Sequence, residues 1–234
     1  MKQLAAASNF QPALRLGRAS ELAVSLSRSD STGPVGRPGP VGLNVDVIKG
    51  STGITDSKHV IFLHGLFGKA QSFQFLAKSK LVQQNFTCHL VDMRNHGLSE
   101  HDSLMDYESL ARDIHGYLVE TGLNRSSAQL MLVGHSLGAK TAMAFAMMYP
   151  NLVDRLVSLD ASPVDRNRLP HLNVSTERMI GEALRIGCLK DMPLKLAVKK
   201  IKTEIEDPVL QTALLFNLNP DGSFQLNLEA IADN

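Results

Sequence analysis

Five residues in the middle of the chain, Gly134-His135-Ser136-Leu137-Gly138, constrain its fold more than any other feature. They follow an apolar run predicted to be a strand, Gln129 to Val133, and they open a helical run, Ala139 to Tyr149. A serine at such a sharp strand-to-helix turn has a strained backbone and crowded neighbours, so small residues are needed two positions to either side. Glycine stands at both. The pattern predicts that Ser136 is a nucleophile and that the Leu137 N–H, at the helix N-terminus, is an oxyanion donor.

Short apolar runs alternate with helical stretches over most of the chain, which predicts βα units on an α/β, doubly wound and mostly parallel sheet. The clearest predicted helices are Tyr107 to Thr121 and Ala139 to Tyr149. The predicted strands are Leu43 to Ile48, His59 to Leu63, Thr87 to Val91, Gln129 to Val133 and Arg155 to Leu159.

The same patterns divide the chain into four segments. Residues 1–43 form an arm, residues 44–165 a core, residues 166–220 a helical lid, and residues 221–234 the start of a return to the core. The lid contains an apolar stripe at helical spacing that either lines an acyl pocket or is ordinary core, and the spacing favours core. The stripe consists of Met179, Ile180, Ala183, Leu184 and Ile186.

Two further motifs follow predicted strands. In His64-Gly65-Leu66-Phe67-Gly68 the N–H of Leu66 is the candidate second oxyanion donor and that of Phe67 the alternative, while His64 is expected to pack within the loop. In the loop from Asp92 to Ser99, an Asp/Arg pair of Asp92 and Arg94 is expected to fix the turn. His96 and His135 are likewise expected to have packing roles rather than to act as bases.

With these motifs in order, the chain resembles the α/β-hydrolase superfamily, close to the abhydrolase domain-containing protein 11 type and related small bacterial esterases. The resemblance covers about Val41 to Asn234 and includes Leu159-Asp-Ala-Ser-Pro-Val164 and Phe224-Gln-Leu-Asn-Leu-Glu229. It implies hydrolysis of esters or thioesters of acyl substrates, a helical lid, no cofactor and, for the eukaryotic relatives, a mitochondrial address.

The resemblance also implies a triad acid and a base histidine. Asp160, at the end of the strand after the nucleophile helix, and Glu229, where relatives carry Asp, are both candidate acids, and each is alternatively a turn or capping carboxylate. Relatives continue with strands that carry the base in a Gly-His turn. Here the histidine after Ser136 is His171, in the lid, which we do not expect to be the base. We therefore expect a shortened isoform or an incomplete gene model, with the strand Arg155 to Leu159 at a bare sheet edge.

Composition sets limits on partners. A formal net charge of +1 argues against nucleic-acid binding. Cys88 and Cys188 are not spaced as metal ligands are in sequence. No apolar run reaches the roughly 18 residues of a membrane span. The arm is rich in Arg and Ser, which predicts a mitochondrial transit peptide, with a disordered tail of a cytoplasmic protein as the alternative.

Two functions remain. The first is a serine hydrolase that acts on small acyl esters or thioesters without a metal or cofactor. The alternative is a non-catalytic binding protein that keeps the pocket but lacks the triad histidine, or that pairs its exposed edge with an unknown partner. A Gly-His motif further along the transcript would favour the enzyme.

Overall fold

A computed structural model describes residues 39–51, 57–125, 128–163 and 170–234 of the chain. The predicted arm falls almost wholly on residues 1–38, which lie outside the described residues.

The core is a sheet of five strands: β1 Val45–Ile48, β2 Lys58–Leu63, β3 Thr87–Val91, β4 Gln129–His135 and β5 Arg155–Leu159. Their order across the sheet is β1-β3-β2-β4-β5. The β1 strand runs antiparallel to β3, and the other neighbours are parallel. The predicted α/β fold with a mostly parallel sheet is confirmed.

Both faces of the sheet are covered, which agrees with the burial of nearly every residue of β2 and β3. One face packs against α3 (Tyr107–Glu120) and α4 (Leu137–Met148) through residues such as Ile61, Leu118 and Phe145. The other face packs against a 3₁₀ helix, Ala70–Phe73, and the short helix α1 (Gln74–Ala77) that follows it. Helices on both sides are what a doubly wound fold requires.

The helices and their ends follow ordinary capping chemistry. Asp106 accepts a hydrogen bond from the Ser109 N–H to start α3, and Asp207 accepts from the Val209 and Leu210 N–H groups to start α7. Pro150 follows the C-cap of α4, as predicted. The remaining helices are α2 Lys80–Gln83, α5 Pro170–Ile186, α6 Leu194–Glu204, α7 Pro208–Phe216 and α8 Leu228–Asp233.

The helices after β5 share an apolar cluster of their own, to which Ala183, Ile186 and Ile201 contribute. Phe67, from the loop after β2, is buried in the same cluster. Within the predicted apolar stripe Met179 and Ile180 pack against the cluster, whereas Leu184 is 39% exposed. Most of the stripe is therefore ordinary core, and the cluster joins these helices to the end of the sheet where Phe67 lies.

Within the described residues, β5 pairs with β4 alone and its other edge is open. Val157 is 39% exposed and Leu159 36% exposed, so the continuous apolar run of β5 is partly accessible, as expected for a bare edge. Among the described helices we find none that is both long enough and apolar enough to span a membrane.

Candidate active site

The turn between β4 and α4 has the geometry expected of a nucleophile turn. Ser136 is the residue between strand and helix, with φ 49° and ψ −109°, a region that L-residues rarely adopt. Its N–H donates to the Leu159 carbonyl, 3.0 Å away, which ties the turn to the end of β5. The strand reaches His135 and the helix begins at Leu137, so both run closer to the serine than predicted.

Close backbone contacts explain the two glycines of this turn. A Cβ added to Gly134 would lie 2.3 Å from the Gly138 carbonyl oxygen, and one added to Gly138 would lie 2.2 Å from the Leu63 carbonyl oxygen. Because these neighbours are backbone atoms, neither contact can be relieved by a side-chain rotation. The turn therefore holds its shape only with glycine at both positions.

The nucleophile turn and the loop after β2, which we call the oxyanion loop (His64–Gly68), are in direct contact. A Cβ added to Gly65 would lie 2.6 Å from Nδ1 of His135 and 3.5 Å from Cβ of Ser136. The half-exposed His135 ring thus fills the space beside Gly65. This contact places Leu66, the next residue, beside the candidate nucleophile.

Two backbone N–H groups beside Ser136 have no hydrogen-bond partner among the described residues, namely those of Leu66 and Leu137. The alternative donor, Phe67, is different because its N–H donates to Nε2 of His96 at 3.3 Å. The geometry thus favours Leu66 over Phe67 as a donor to a bound oxyanion, which is a proposal for this chain.

His64 and His96, in the loops next to the nucleophile turn, are held in place by hydrogen bonds at both ring nitrogens. His64 Nδ1 donates to the Gly65 carbonyl (2.8 Å) and its Nε2 accepts from the Met93 N–H (3.0 Å). His96 does the same between the Arg94 carbonyl and the Phe67 N–H. Burial lowers the pKa of His64 to about 4 and that of His96 to about 3. Their two nitrogens are occupied and their pKa values are low, which agrees with the expected packing role.

The loop after β3 is braced by Asp92, which is 1% exposed. Its Oδ1 accepts from the Ala70 N–H (2.6 Å), and its Oδ2 accepts from the Leu98 N–H (3.0 Å) and from Asn44 Nδ2 (2.8 Å). One buried carboxylate thus joins Asn44, the residue before β1, to the 3₁₀ helix after the oxyanion loop and to its own loop.

The expectation that Asp92 pairs with Arg94 is wrong. Arg94 forms two hydrogen bonds to Asp113 of α3, both 2.6 Å long, and donates a third to the Leu104 carbonyl. The Arg94 and Asp113 side chains are both buried. Burial raises the pKa of Asp113, and the neighbouring Arg94 guanidinium partly opposes that rise. Asp92 is already saturated by N–H donors, which explains why the guanidinium turns to the helix instead.

The two candidate acids occupy different places. Asp160 follows β5 directly, has φ 54°, is 89% exposed at its side chain, and lies 3.9 Å (Oδ2) from Nε2 of His135. Glu229 is exposed in the first turn of α8. A negative charge there is stabilised by the positive end of the helix dipole. Asp160 therefore lies next to the nucleophile turn. Among the described residues, no hydrogen bond links Glu229 to Ser136. The His171 side chain lies outside the described residues.

Contacts between the oxyanion loop and the helices after β5 were missed by sequence reasoning. Nδ2 of Asn217 donates to the Phe67 carbonyl at 2.7 Å. Lys69 Nζ donates to the Phe216 carbonyl at 2.6 Å and to Gln225 Oε1 at 3.2 Å. The partners are about 150 residues apart in sequence, so no local pattern could have indicated them.

Other features of the described chain lie away from this turn. His59, His89 and Tyr117 form a hydrogen-bonded row (3.0 and 2.6 Å), and burial lowers the pKa of His89 to about 4. No cluster of three or more His, Cys, Asp or Glu side chains in the described residues is arranged to hold a metal. A cavity of about 550 Å³ includes no residue of the nucleophile turn, and its lining is Arg178, Gly181, Glu182, Arg185, Glu204 and Glu206.

A serine in a left-handed turn between a parallel strand and a helix, on a sheet covered on both faces, defines the class of this protein. The sequence matches the family described as "alpha/beta hydrolase fold" over residues 58–184, more than half of the chain. The chain therefore belongs to the α/β-hydrolase fold family.

Similar proteins are found among enzymes with related names. The sn-1-specific diacylglycerol lipase ABHD11 of Mus musculus is 35% identical over 178 residues, 75% of this chain and 57% of its own length. The protein of the same name from Danio rerio is 30% identical over 198 residues, 83% of this chain and 60% of its own. The chain thus spans less than two thirds of both relatives. A solved marine microorganism esterase is 28% identical, covers 84% of this chain and 72% of its own, and superposes with a TM-score of 0.67.

Proposed function

We propose that the protein is a serine hydrolase that cleaves carboxylic esters or thioesters of acyl substrates, with Ser136 as the nucleophile. The observation that carries the proposal is the strained Ser136 turn (φ 49°) in contact with the oxyanion loop. The names of the relatives, esterase and lipase, support the same reaction class.

In the proposed reaction, Ser136 Oγ attacks the carbonyl carbon while its proton passes to a general base. The family resemblance assigns this base to a histidine of a Gly-His turn, and none of the histidines named above is proposed for the role. The carbonyl oxygen becomes an oxyanion that accepts hydrogen bonds from the Leu66 and Leu137 N–H groups. The C–O or C–S bond then breaks, and the alcohol or thiol leaves with the proton. Water hydrolyses the acyl-serine by the same steps, so no redox or metal chemistry is involved.

Of the two carboxylates proposed to orient the base, we favour Asp160. It follows Leu159, whose carbonyl accepts the Ser136 N–H, so the end of β5 and the nucleophile turn share one backbone contact. Glu229 is retained as the second candidate on the family resemblance alone.

The proposed acyl group is apolar. Leu66 and Leu137, which flank Ser136, pack against the apolar cluster of the helices after β5. These helices are therefore proposed to be a lid whose inner surface faces the substrate. Thioesters are included because the same tetrahedral intermediate forms from either carbonyl.

The test is hydrolysis of p-nitrophenyl esters and of an acyl thioester by the protein purified from its native source or expressed as the longest available chain. Ser136→Ala is expected to lower kcat/KM by about 10³-fold or more. Exposed Ser162→Ala, a matched control outside the turn, leaves it unchanged. Equal rates for wild type and Ser136→Ala would contradict the nucleophile and favour the binding-protein alternative.

A mitochondrial address is a second proposal, and it rests on the Arg- and Ser-rich composition of residues 1–43. A fluorescent protein fused after residue 43 is expected to enter mitochondria. The same fusion with Arg15 and Arg18 changed to Glu should remain in the cytoplasm. Cytoplasmic fluorescence from both would contradict the address.

A further inference from the structure

The oxyanion loop depends on residue Phe67, which has φ 59° although it is not glycine. Such a conformation persists only when its surroundings determine it. The Phe67 side chain is 1% exposed within the apolar cluster, its N–H donates to His96, and its carbonyl accepts from Asn217. Both peptide planes of this residue are thus fixed by side chains.

Asn217 is completely buried at the C-cap of α7. Its Nδ2 donates to the Phe67 carbonyl (2.7 Å) and to the Ala213 carbonyl (2.8 Å). Its Oδ1 is buried without a hydrogen-bond partner among the described residues. An unpaired buried oxygen destabilises the folded state, and leucine has almost the same shape without that disadvantage. Packing alone therefore does not account for an amide at this position, whereas its hydrogen bonds to the Phe67 and Ala213 carbonyls do.

A second contact joins the same two elements. Lys69 Nζ donates to the Phe216 carbonyl (2.6 Å) and lies 4.0 Å from the centre of the Phe216 ring. Burial lowers the pKa of Lys69, which agrees with an ammonium group partly removed from water. The end of α7 thus holds the loop at two positions, one on each side of Gly68.

We infer that Asn217 is a positioning residue for the oxyanion hole. Its amide fixes the Phe67 carbonyl and thereby the left-handed turn, which sets the direction of the preceding Leu66 N–H. This inference rests on the proposed function. The proposed lid would then have two roles: it covers the substrate, and its residue Asn217 fixes the backbone of the oxyanion loop.

Two variants remove the donor from Asn217: Asn217→Leu, which nearly keeps its shape, and Asn217→Ala. We expect kcat for a p-nitrophenyl ester to fall about ten- to a hundredfold in both, with KM changed less than twofold, because a displaced donor weakens transition-state binding selectively. Amide hydrogen exchange at Phe67 and Gly68 is expected to become at least tenfold faster. The matched control is Asn234→Leu, since Asn234 Nδ2 also bonds two carbonyls, those of Ala230 and Ser103, at another helix end.

The outcomes separate the inference from the proposed function. Faster exchange with unchanged kcat, or unchanged exchange in Asn217→Ala, would overturn the positioning role even if wild type is active. Activity that survives in Ser136→Ala would overturn the proposed function first, and the exchange rates would then decide whether Asn217 holds the loop at all.

Discussion

Replacing Asp92 with asparagine tests how the loops around the candidate site are held. The carboxylate accepts three hydrogen bonds from N–H donors: Ala70 N–H at Oδ1, Leu98 N–H and Asn44 Nδ2 at Oδ2. An amide has only one oxygen, so at least one donor must face the new NH₂ group. A lost charge-assisted bond and an unpaired buried donor together cost about 2–4 kcal/mol.

The assay is urea unfolding followed by circular dichroism. With a slope of about 1–3 kcal/mol per molar, the midpoint is expected to fall by about 0.7–4 M while the slope stays constant. Asp46→Asn, an exposed change of the same chemistry in β1, should shift stability by less than about 0.5 kcal/mol. A midpoint for Asp92→Asn as high as that of Asp46→Asn would refute the reasoning.

Two further predictions follow from the contacts. Gly138→Ala brings a methyl group 2.2 Å from the Leu63 carbonyl oxygen and is expected to prevent folding, whereas Gly181→Ala, with open space around it, should express like wild type. Burial lowers the pKa of His64 to about 4 and of His96 to about 3, so the unfolded chain binds protons that the folded chain excludes. Stability is therefore complete above about pH 6.5 and is lost as pH falls toward 4, by about 3 kcal/mol per imidazole. Equal urea midpoints at pH 7.5 and 5 would contradict this.

Local patterns predicted the strands and the nucleophile turn well. The limits of β3 and β5 agree with prediction residue for residue, since a β-rich segment marks β3 and a mainly apolar run marks β5. The strand-to-helix turn at Ser136 was predictable because its strand, its glycines and its helix are contiguous in sequence, while the nucleophile role of Ser136 stays a proposal.

Contacts between distant elements were not predictable in the same way. The partner of Arg94 is Asp113 because α3 presents that carboxylate to the loop, and the rotation of a helix about its axis is not visible in the loop sequence. Asn217 is one amide near the end of a Leu-rich helix, and nothing in its neighbours indicates that it faces Phe67. Such contacts depend on how helices dock, which is decided by packing over the whole core.

The central claim, an activated serine at position 136, is tested most directly by a fluorophosphonate probe, which reacts with activated serines. The native extract is labelled, the protein is captured with an antibody against residues 100–160, and its intact mass and labelled peptide are determined. The account predicts a label on Ser136 that is absent from Ser136→Ala. A captured protein that remains unlabelled, while other serine hydrolases in the same extract react, would contradict the account and leave a binding protein.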